Sequence, residues 1–469
     1  MTASRDQGRR WWMRRWLNRL EMDRAVFYSV SGRAWQFVAG PVTILLIAFY
    51  FTPELQGYFY TFASLLALQT FVELGLQVVI INVSSHEWAR LSLDDRGHLT
   101  GDPRALSRLV SLGRKVAVWY GAASLVFVVG VGVAGVAFFW PKVLPPQEWM
   151  LPWLSLVGLT GLLLWTLPFV AVLEGCNQVI TVNKYRFTQA IAGNLAVWTC
   201  IALGAGLWAA VASAAVKLAW EVYLLQVRYR EFFRPFFAPA PDEQLCWRTE
   251  IWPLQWTLAV QGVLQYFAFF LFTPITLQYH GAAAAGQMGM TWSVLTALQA
   301  GAFAWVHTRT PLFGILISRR DYRELDRVFK RVSLISSGIL AFAGISFCAA
   351  VIVLNLASHP LAAKLAARLL PPLPTIVFTA AVVLYYIPQC ITSYLLAHKR
   401  NPTLPVAIIG NPLIGAAVCI FGAKYGPLGA GLGLLTVVAA FIVPALTLIW
   451  WRCRREWHRD GDAGYKMVV

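Results

Sequence analysis

The chain has 469 residues, of which 58% are hydrophobic and only 13% charged, with 39 Lys and Arg against 22 Asp and Glu. Soluble domains carry about 25% charged residues, so this composition excludes a soluble globular protein and indicates a polytopic membrane protein. The net charge of +17 does not indicate nucleic acid, because the basic residues sort to one side of the expected spans.

Residues 1–25 contain RRWWMRRWLNRL, with Arg9, Arg10, Arg14 and Arg15 beside Trp11, Trp12 and Trp16. That pattern predicts a short amphipathic helix lying in the cytoplasmic interface. No short apolar segment with a small-residue cleavage site follows it, so no cleavable signal peptide is expected. The first predicted span covers about 29–51 and carries Arg33 one turn inside its start. A loop without basic residues, Thr52–Gln56, precedes a second span at about 57–82. Gln69 and Glu73 sit in the middle of that span, four residues apart and so on one helical face. A mid-membrane carboxylate costs ~2.5 kcal/mol or more against lipid, so Glu73 should face protein or water.

Residues 83–115 are rich in Arg and read as an internal loop, followed by a span at about 116–139. Trp140, Trp149 and Trp153 are expected to form an aromatic belt at the next, external turn. Spans four to six follow at about 153–174, 187–204 and 207–227, with Lys184 and Arg186 marking an internal loop. Lys217 and Glu221 lie within the sixth. The basic, Pro-rich stretch 228–250 is the clearest boundary in the chain.

After it come spans at about 251–273, 285–308, 332–356, 374–397, 404–422 and 428–451. The segment 357–372 is expected to be external and to hold a surface helix with Lys364 and Arg368. Two stretches echo each other: Thr61-Phe-Ala-Ser-Leu-Leu-Ala-Leu-Gln69 resembles Thr291-Trp-Ser-Val-Leu-Thr-Ala-Leu-Gln299, and Phe51-Thr-Pro53 recurs as Phe272-Thr-Pro274.

The expected organisation is therefore all-α, with twelve transmembrane helices in two six-helix lobes of the same orientation, a parallel repeat of the kind transporters use. Residues 26–227 form the first lobe, 228–250 a basic cytoplasmic linker, 251–451 the second lobe and 452–469 a basic tail. On this arrangement 33 of the 39 Lys and Arg fall on one side, 4 on the other and 2 within helices. The heavy side is cytoplasmic by the positive-inside rule, so both termini are expected there, in contact with anionic membrane lipids.

No catalytic signature is present: no GxxxxGK[ST], no HExxH and no GxSxG. The seven cysteines are scattered without a CxxC, which argues against a disulfide framework or a metal site, and no cofactor is expected. The informative residues are polar ones within spans. Arg33 and Lys217 are candidate anion-binding cations, with His307 and Arg309 at the cavity mouth. Glu73 and Glu221 are candidate coupling or structural acids, and Gln69, Gln261, Gln265 and Gln299 candidate cavity amides.

The run Phe51-Thr-Pro-Glu-Leu-Gln-Gly-Tyr-Phe-Tyr, continued by Leu68-Gln69 and Glu73-Leu-Gly75, resembles the first two helices of bacterial polysaccharide flippases. These are members of the multidrug/oligosaccharidyl-lipid/polysaccharide exporter superfamily. The stretch Trp305…Thr310-Pro311-Leu-Phe-Gly314…Arg319-Arg320…Glu324-Leu-Asp326…Phe329 resembles that family's loop between helices 8 and 9. The resemblance implies a V-shaped pair of lobes around a basic central cavity, in a bacterial inner membrane. It also implies a lipid-linked oligosaccharide on a polyprenyl pyrophosphate carrier, flipped from the cytoplasmic to the outer leaflet, with a polysaccharide polymerase as a candidate partner. It does not fix which cations contact the substrate.

A cation-coupled drug antiporter of the same superfamily is the main alternative, and would favour a net acidic cavity. A membrane polysaccharide polymerase or glycosyltransferase would want a sizeable external loop, and none is expected. A symporter of the other large twelve-helix class would carry a basic loop motif between spans 2 and 3 that is not evident.

Overall fold

The computed structural model describes residues 24–94, 96–237, 245–398 and 400–465. Nearly all of the amphipathic segment expected over 1–25, the middle of the 228–250 linker and the end of the 452–469 tail lie outside the described residues. The first helix, α1 (Arg24–Tyr50), ends at a turn where Thr52 accepts a hydrogen bond from Leu55 N at 3.2 Å. Pro53 and Glu54 then open α2 (Pro53–Leu66), the residue types that a helix start favours by fixed φ and by the macrodipole.

The second span is not one continuous helix, as the sequence suggests. It tightens into a 3₁₀ turn at Ala67–Gln69, resumes for one turn at Thr70–Glu73, and breaks before α3 (Leu76–Trp88) with a 44° bend. Leu74 and Gly75 both take left-handed conformations there, φ 44° and 68°. Gly75 suits this twice over: it bears positive φ without strain, and a Cβ on it would sit 2.3 Å from Cβ of Leu258.

The following segment holds a two-stranded hairpin, β1 (Leu91–Leu93) and β2 (Leu99–Gly101), with Ser92 opposite Thr100. Asp102 then caps α4 (Pro103–Phe139), which starts well before the expected residue 116. Next come α5 (Pro146–Gly175), α6 (Val179–Ala202) and α7 (Trp208–Tyr223), the last running on through a π-helical turn at Leu224–Arg228. Trp149 and Trp153 do not form an interfacial belt. Both are fully buried, with ring centroids 5.5 Å from Phe139, and side-chain-less Gly135 leaves the space that Trp153 fills. Trp140 alone of the three is exposed.

Beyond the linker, α8 (Trp252–Phe269) and α9 (Phe272–His280) share one span broken at Phe270 and Leu271. Then come α10 (Ala282–His307), the short α11 (Thr310–Ser318), α12 (Tyr322–Leu356), the surface helix α13 (Pro360–Ala366) and α14 (Pro372–Ala397). The chain ends in α15 (Leu404–Val437) and α16 (Val443–Tyr465), with Gly426 breaking α15 at φ 65°, ψ −152° just before Pro427.

Among the described residues eight stretches are long and apolar enough to cross a membrane by themselves. The break at Gly426 divides the last of these into two spans, and the bent α2–α3 pair supplies another. Two helices, α6 and α10, have membrane-spanning length but are too polar for that test: α6 carries Lys184, Arg186, Gln189 and Asn194, and α10 carries Gln287, Thr296 and Gln299. The fold is thus all-α with twelve membrane helices, six before the linker and six after it.

The chain packs as two compact units. One contains residues up to 46 with 71–140 and 146–259; the other contains 47–70, 141–145 and 260 onward. The second unit is centred on the rings of Phe272, Trp292 and Phe378, with Phe272 4.8 Å from Trp292 and 5.4 Å from Phe378. Within it α2 packs tightly on α10. A Cβ on Gly57 would lie 2.0 Å from the Ala282 carbonyl oxygen, so that backbone approach requires glycine. At one end of the same unit, buried Asp326 accepts from Tyr394 Oη at 3.0 Å and from Arg454 Nε at 2.6 Å, tying α12, α14 and α16 together.

Candidate functional site

Each unit contains polar space among its helices. In the first unit a cavity of about 440 Å³ lies among α1, α5, α6 and α7. Lys217 and Glu221, one turn apart on α7, both line it, with Gln189, Asn194 and Arg186 from α6. Lys217 and Glu221 do not pair with each other among the described residues. Glu221 Oε2 instead accepts from Thr166 Oγ1 on α5 at 2.5 Å, and the Lys217 backbone carbonyl accepts from Gln189 Nε2 at 3.0 Å. The Lys217 side chain is exposed and makes no salt bridge among the described residues.

Glu73 ends the turn before the α2–α3 break and is partly buried. Its carboxylate makes no hydrogen bond among the described residues, but Lys217 and Tyr120 lie within electrostatic reach of it. Glu73 therefore does have a cation nearby, supplied by α7 rather than by its own helix. Gln69 ends the 3₁₀ turn that precedes the helical turn Thr70–Glu73, and it lines neither this cavity nor those of the second unit.

Arg186 is a site residue that the sequence does not reveal. Asn183, Lys184, Tyr185 and Arg186 read as a loop, yet α6 begins at Val179 and carries all four. There Arg186 lines the cavity and ion-pairs with Glu174 of α5. The available signal was Glu174 itself, an acid near the end of an apolar span that needs a cation. Arg33 is exposed on α1, three residues before the cavity residue Gln36, and is not among the lining residues.

The second unit holds two cavities, of about 390 and 560 Å³, which share Gln265, Tyr385 and Gln389 in their walls. Gln261, Gln265 and His307 line the larger, and Gln265 and Gln299 the smaller. Gln299 Nε2 donates to Gln389 Oε1 at 2.9 Å, joining α10 to α14. Aromatic walls come from Phe269, stacked on Trp292 at 6.4 Å and 11°, and from Tyr385, 5.1 Å from Phe269. Arg309 is exposed at the start of α11 and lines neither cavity.

The chemistry of the two units differs. The first offers cations and carboxylates together; the second offers amides, hydroxyls and rings. Among the described residues no cluster of three His, Cys, Asp or Glu is placed to hold a metal ion.

No protein-family model matches the chain, and no curated protein matches it by sequence. Solved structures do match in fold. An inward-facing multidrug resistance MATE family transporter of the MOP superfamily superposes with a TM-score of 0.60 at 11% identity, covering 89% of this chain and 99% of that one. The lipid II flippase MurJ in an inward closed conformation gives a TM-score of 0.57 at 13% identity, covering 95% and 93%. A MATE protein in a bent conformation gives 0.53 at 12% identity, covering 93% and 95%. The chain has the fold of these transporters.

Proposed function

We propose that this protein is a membrane transporter that flips a lipid-linked oligosaccharide, carried on polyprenyl pyrophosphate, from the cytoplasmic to the outer leaflet by alternating access. The observation that carries this is Lys217: an exposed ammonium, free of a salt bridge among the described residues, on the wall of a polar cavity within membrane helices. A pyrophosphate brings roughly two negative charges that hydrocarbon cannot solvate, so its passage needs fixed cations in place of water. Arg186 is the second cation of that wall, held in place by Glu174. Glu73, within reach of Lys217, is the proposed coupling acid. The shared fold with a lipid II flippase supports the substrate class; it does not specify the glycan.

A second reading is favoured by one observation. Glu73, Glu174 and Glu221 all lie in or beside the cavity, and such acidity would suit export of an organic cation in exchange for protons. The two readings separate in proteoliposomes. On the first, the protein moves a fluorescent polyprenyl pyrophosphate disaccharide between leaflets and leaves an ethidium-type cation where it is. Movement of the cation with no movement of the lipid would sink the flippase reading.

A further inference from the structure

The two joined cavities of the second unit have a composition that the transport of a charged headgroup does not require. Among the described residues their walls contain no Asp, Glu, Lys or Arg, and His307 is the one titratable side chain there other than the Tyr60 and Tyr385 phenols. What they contain instead is amide groups without protein partners. Gln261 and Gln265 stand one turn apart on α8, and neither makes a hydrogen bond among the described residues. Asn411 of α15 is 9% exposed, lines the larger cavity and is likewise unbonded. Gln389 accepts from Gln299 through Oε1, which leaves its own Nε2 as a donor.

Gln265 is exposed and Gln261 and Gln389 are half-buried, so these amides open onto the cavity space, and each carries both donors and an acceptor. A cavity wall of amides open to a ligand therefore suits one with many hydroxyl or acetamido groups and no net charge. The aromatic walls supply the complement. Sugar rings present apolar C–H faces, and Phe269, Trp292 and Tyr385 offer flat apolar surface beside the amides. Among the described residues a cationic drug would find no carboxylate here, and a phosphate no fixed cation. The volumes of about 390 and 560 Å³ fall in the roughly 300–1,000 Å³ range of small-molecule sites.

We infer that these joined cavities are a carbohydrate subsite, selective for uncharged sugar residues, formed by Gln261, Gln265, Gln389 and Asn411 against the Phe269–Trp292–Tyr385 wall. This rests on the flippase reading for its biological setting, and it adds that the glycan portion held there is neutral. An acidic sugar would have to bring its carboxylate among neutral amides without a counter-charge, which buried sites disfavour.

Two radiolabelled probes test it: polyprenyl pyrophosphate bearing a neutral N-acetylhexosamine disaccharide, and the same lipid with a uronic acid as its second sugar. Equilibrium binding to protein in nanodiscs and flipping in proteoliposomes are both measured. Wild-type protein should prefer the neutral probe. The Gln265→Leu/Gln389→Leu double variant should weaken neutral-probe binding about tenfold, the effect of losing one or two hydrogen bonds, and lose the preference. Asn411→Asp, which keeps shape and adds a charge, should sharpen discrimination against the acidic probe, and it reads the subsite even if the double variant misfolds. Equal binding of the two probes by wild type, or an undiminished preference in a folded double variant, overturns the subsite. Preferential binding that these variants alter, without movement of either probe, upholds the subsite and removes the flippase reading.

Discussion

Gln56 and Arg368 hold each other in the interior of the second unit. Arg368 Nη1 donates to Gln56 Oε1 at 3.4 Å, and Gln56 Nε2 donates to the Arg368 carbonyl at 3.0 Å and to the Gly286 carbonyl at 2.8 Å. Arg368 Nη2 adds a bond to the Phe51 carbonyl. Gln56 is 1% exposed and Arg368 7%. Among the described residues no carboxylate pairs with this guanidinium within 4 Å, although Glu54 acts on it electrostatically. Burial presses its pKa below the usual arginine value, which leaves it a charge solvated by carbonyl dipoles.

From that arrangement follows a coupled loss of stability. Gln56→Leu strands two carbonyls and a charged partner, and Arg368→Met strands the Phe51 carbonyl and the Gln56 oxygen. Each should cost about 1–3 kcal/mol. The double variant should cost less than the sum, because each single change already damages the shared network. Thermal unfolding of purified protein, followed by intrinsic fluorescence, checks this; strictly additive midpoint shifts would show that the two side chains act independently.

The substrate-cation hypothesis now distinguishes between residues that the sequence treats alike. Lys217 lines the cavity and Arg33 does not. Lys217→Ala should reduce lipid flipping by about tenfold or more, the effect of one charge-assisted contact, and Lys217→Arg should retain more activity than alanine. Arg33→Ala should stay near wild type. Flipping rates normalised to reconstituted protein decide it, and a normal rate for Lys217→Ala would move the anion site elsewhere.

Much of this fold can be read from the sequence, and the unread parts have local physical causes. Apolar runs locate the spans because a membrane helix must be apolar for ~20 residues. They do not locate the breaks. Leu74 has no composition signal for positive φ; the break depends on the packing of Gly75 against Leu258. Trp149 and Trp153 look interfacial because tryptophan usually is, but the space beside Gly135 takes one of them inward. Lys217 and Glu221 stand out as charges in an apolar helix. Arg186 is hidden because a polar helix start resembles a loop. The Phe51–Tyr60 run, which carries the family resemblance, contains Gln56, bonded to Arg368 and Gly286, and the close-contact Gly57, so part of that motif serves packing.

An ion-pair network gives a pH prediction. Arg108 joins Glu87 at 2.8 Å and Glu250 at 2.5 Å, tying the end of α3 to α4 and to the residues before α8. Burial pushes the Glu250 carboxyl up, but hydrogen bonds from the Cys246 amide and Arg108 outweigh it and leave its pKa lowered. A carboxylate depressed on folding stabilises at pH above its unfolded value and loses that contribution as pH falls through the lower folded one. Wild type should therefore lose stability below about pH 4.5, the ordinary carboxylate value. Glu250→Gln should flatten part of that loss. Thermal midpoints from pH 7 down to pH 3 test this, and identical slopes for the two proteins would remove Glu250 from the acid response.

The last prediction concerns Glu73 and energy coupling. The chain carries no P-loop of its own, so uphill movement requires a gradient or a downstream sink. Glu73 sits at the one place where the second span breaks, and Lys217 is the cation within its reach. A pyrophosphate that engages Lys217 competes with Glu73 for the same positive charge. Deprived of that charge among membrane helices, a carboxylate is stabilised by taking up a proton. Binding of an anionic substrate is then linked to proton uptake, and release to proton loss. Glu73→Gln keeps the shape and most hydrogen-bonding capacity but removes the titration. Wild-type flipping in proteoliposomes should respond to an imposed proton gradient, and substrate binding in weakly buffered solution should draw protons from it. The Gln variant should still bind substrate, with flipping indifferent to the gradient and proton uptake lost. Wild-type gradient dependence in Glu73→Gln would eliminate this carboxylate as the coupling group and leave it as a structural acid beside Lys217.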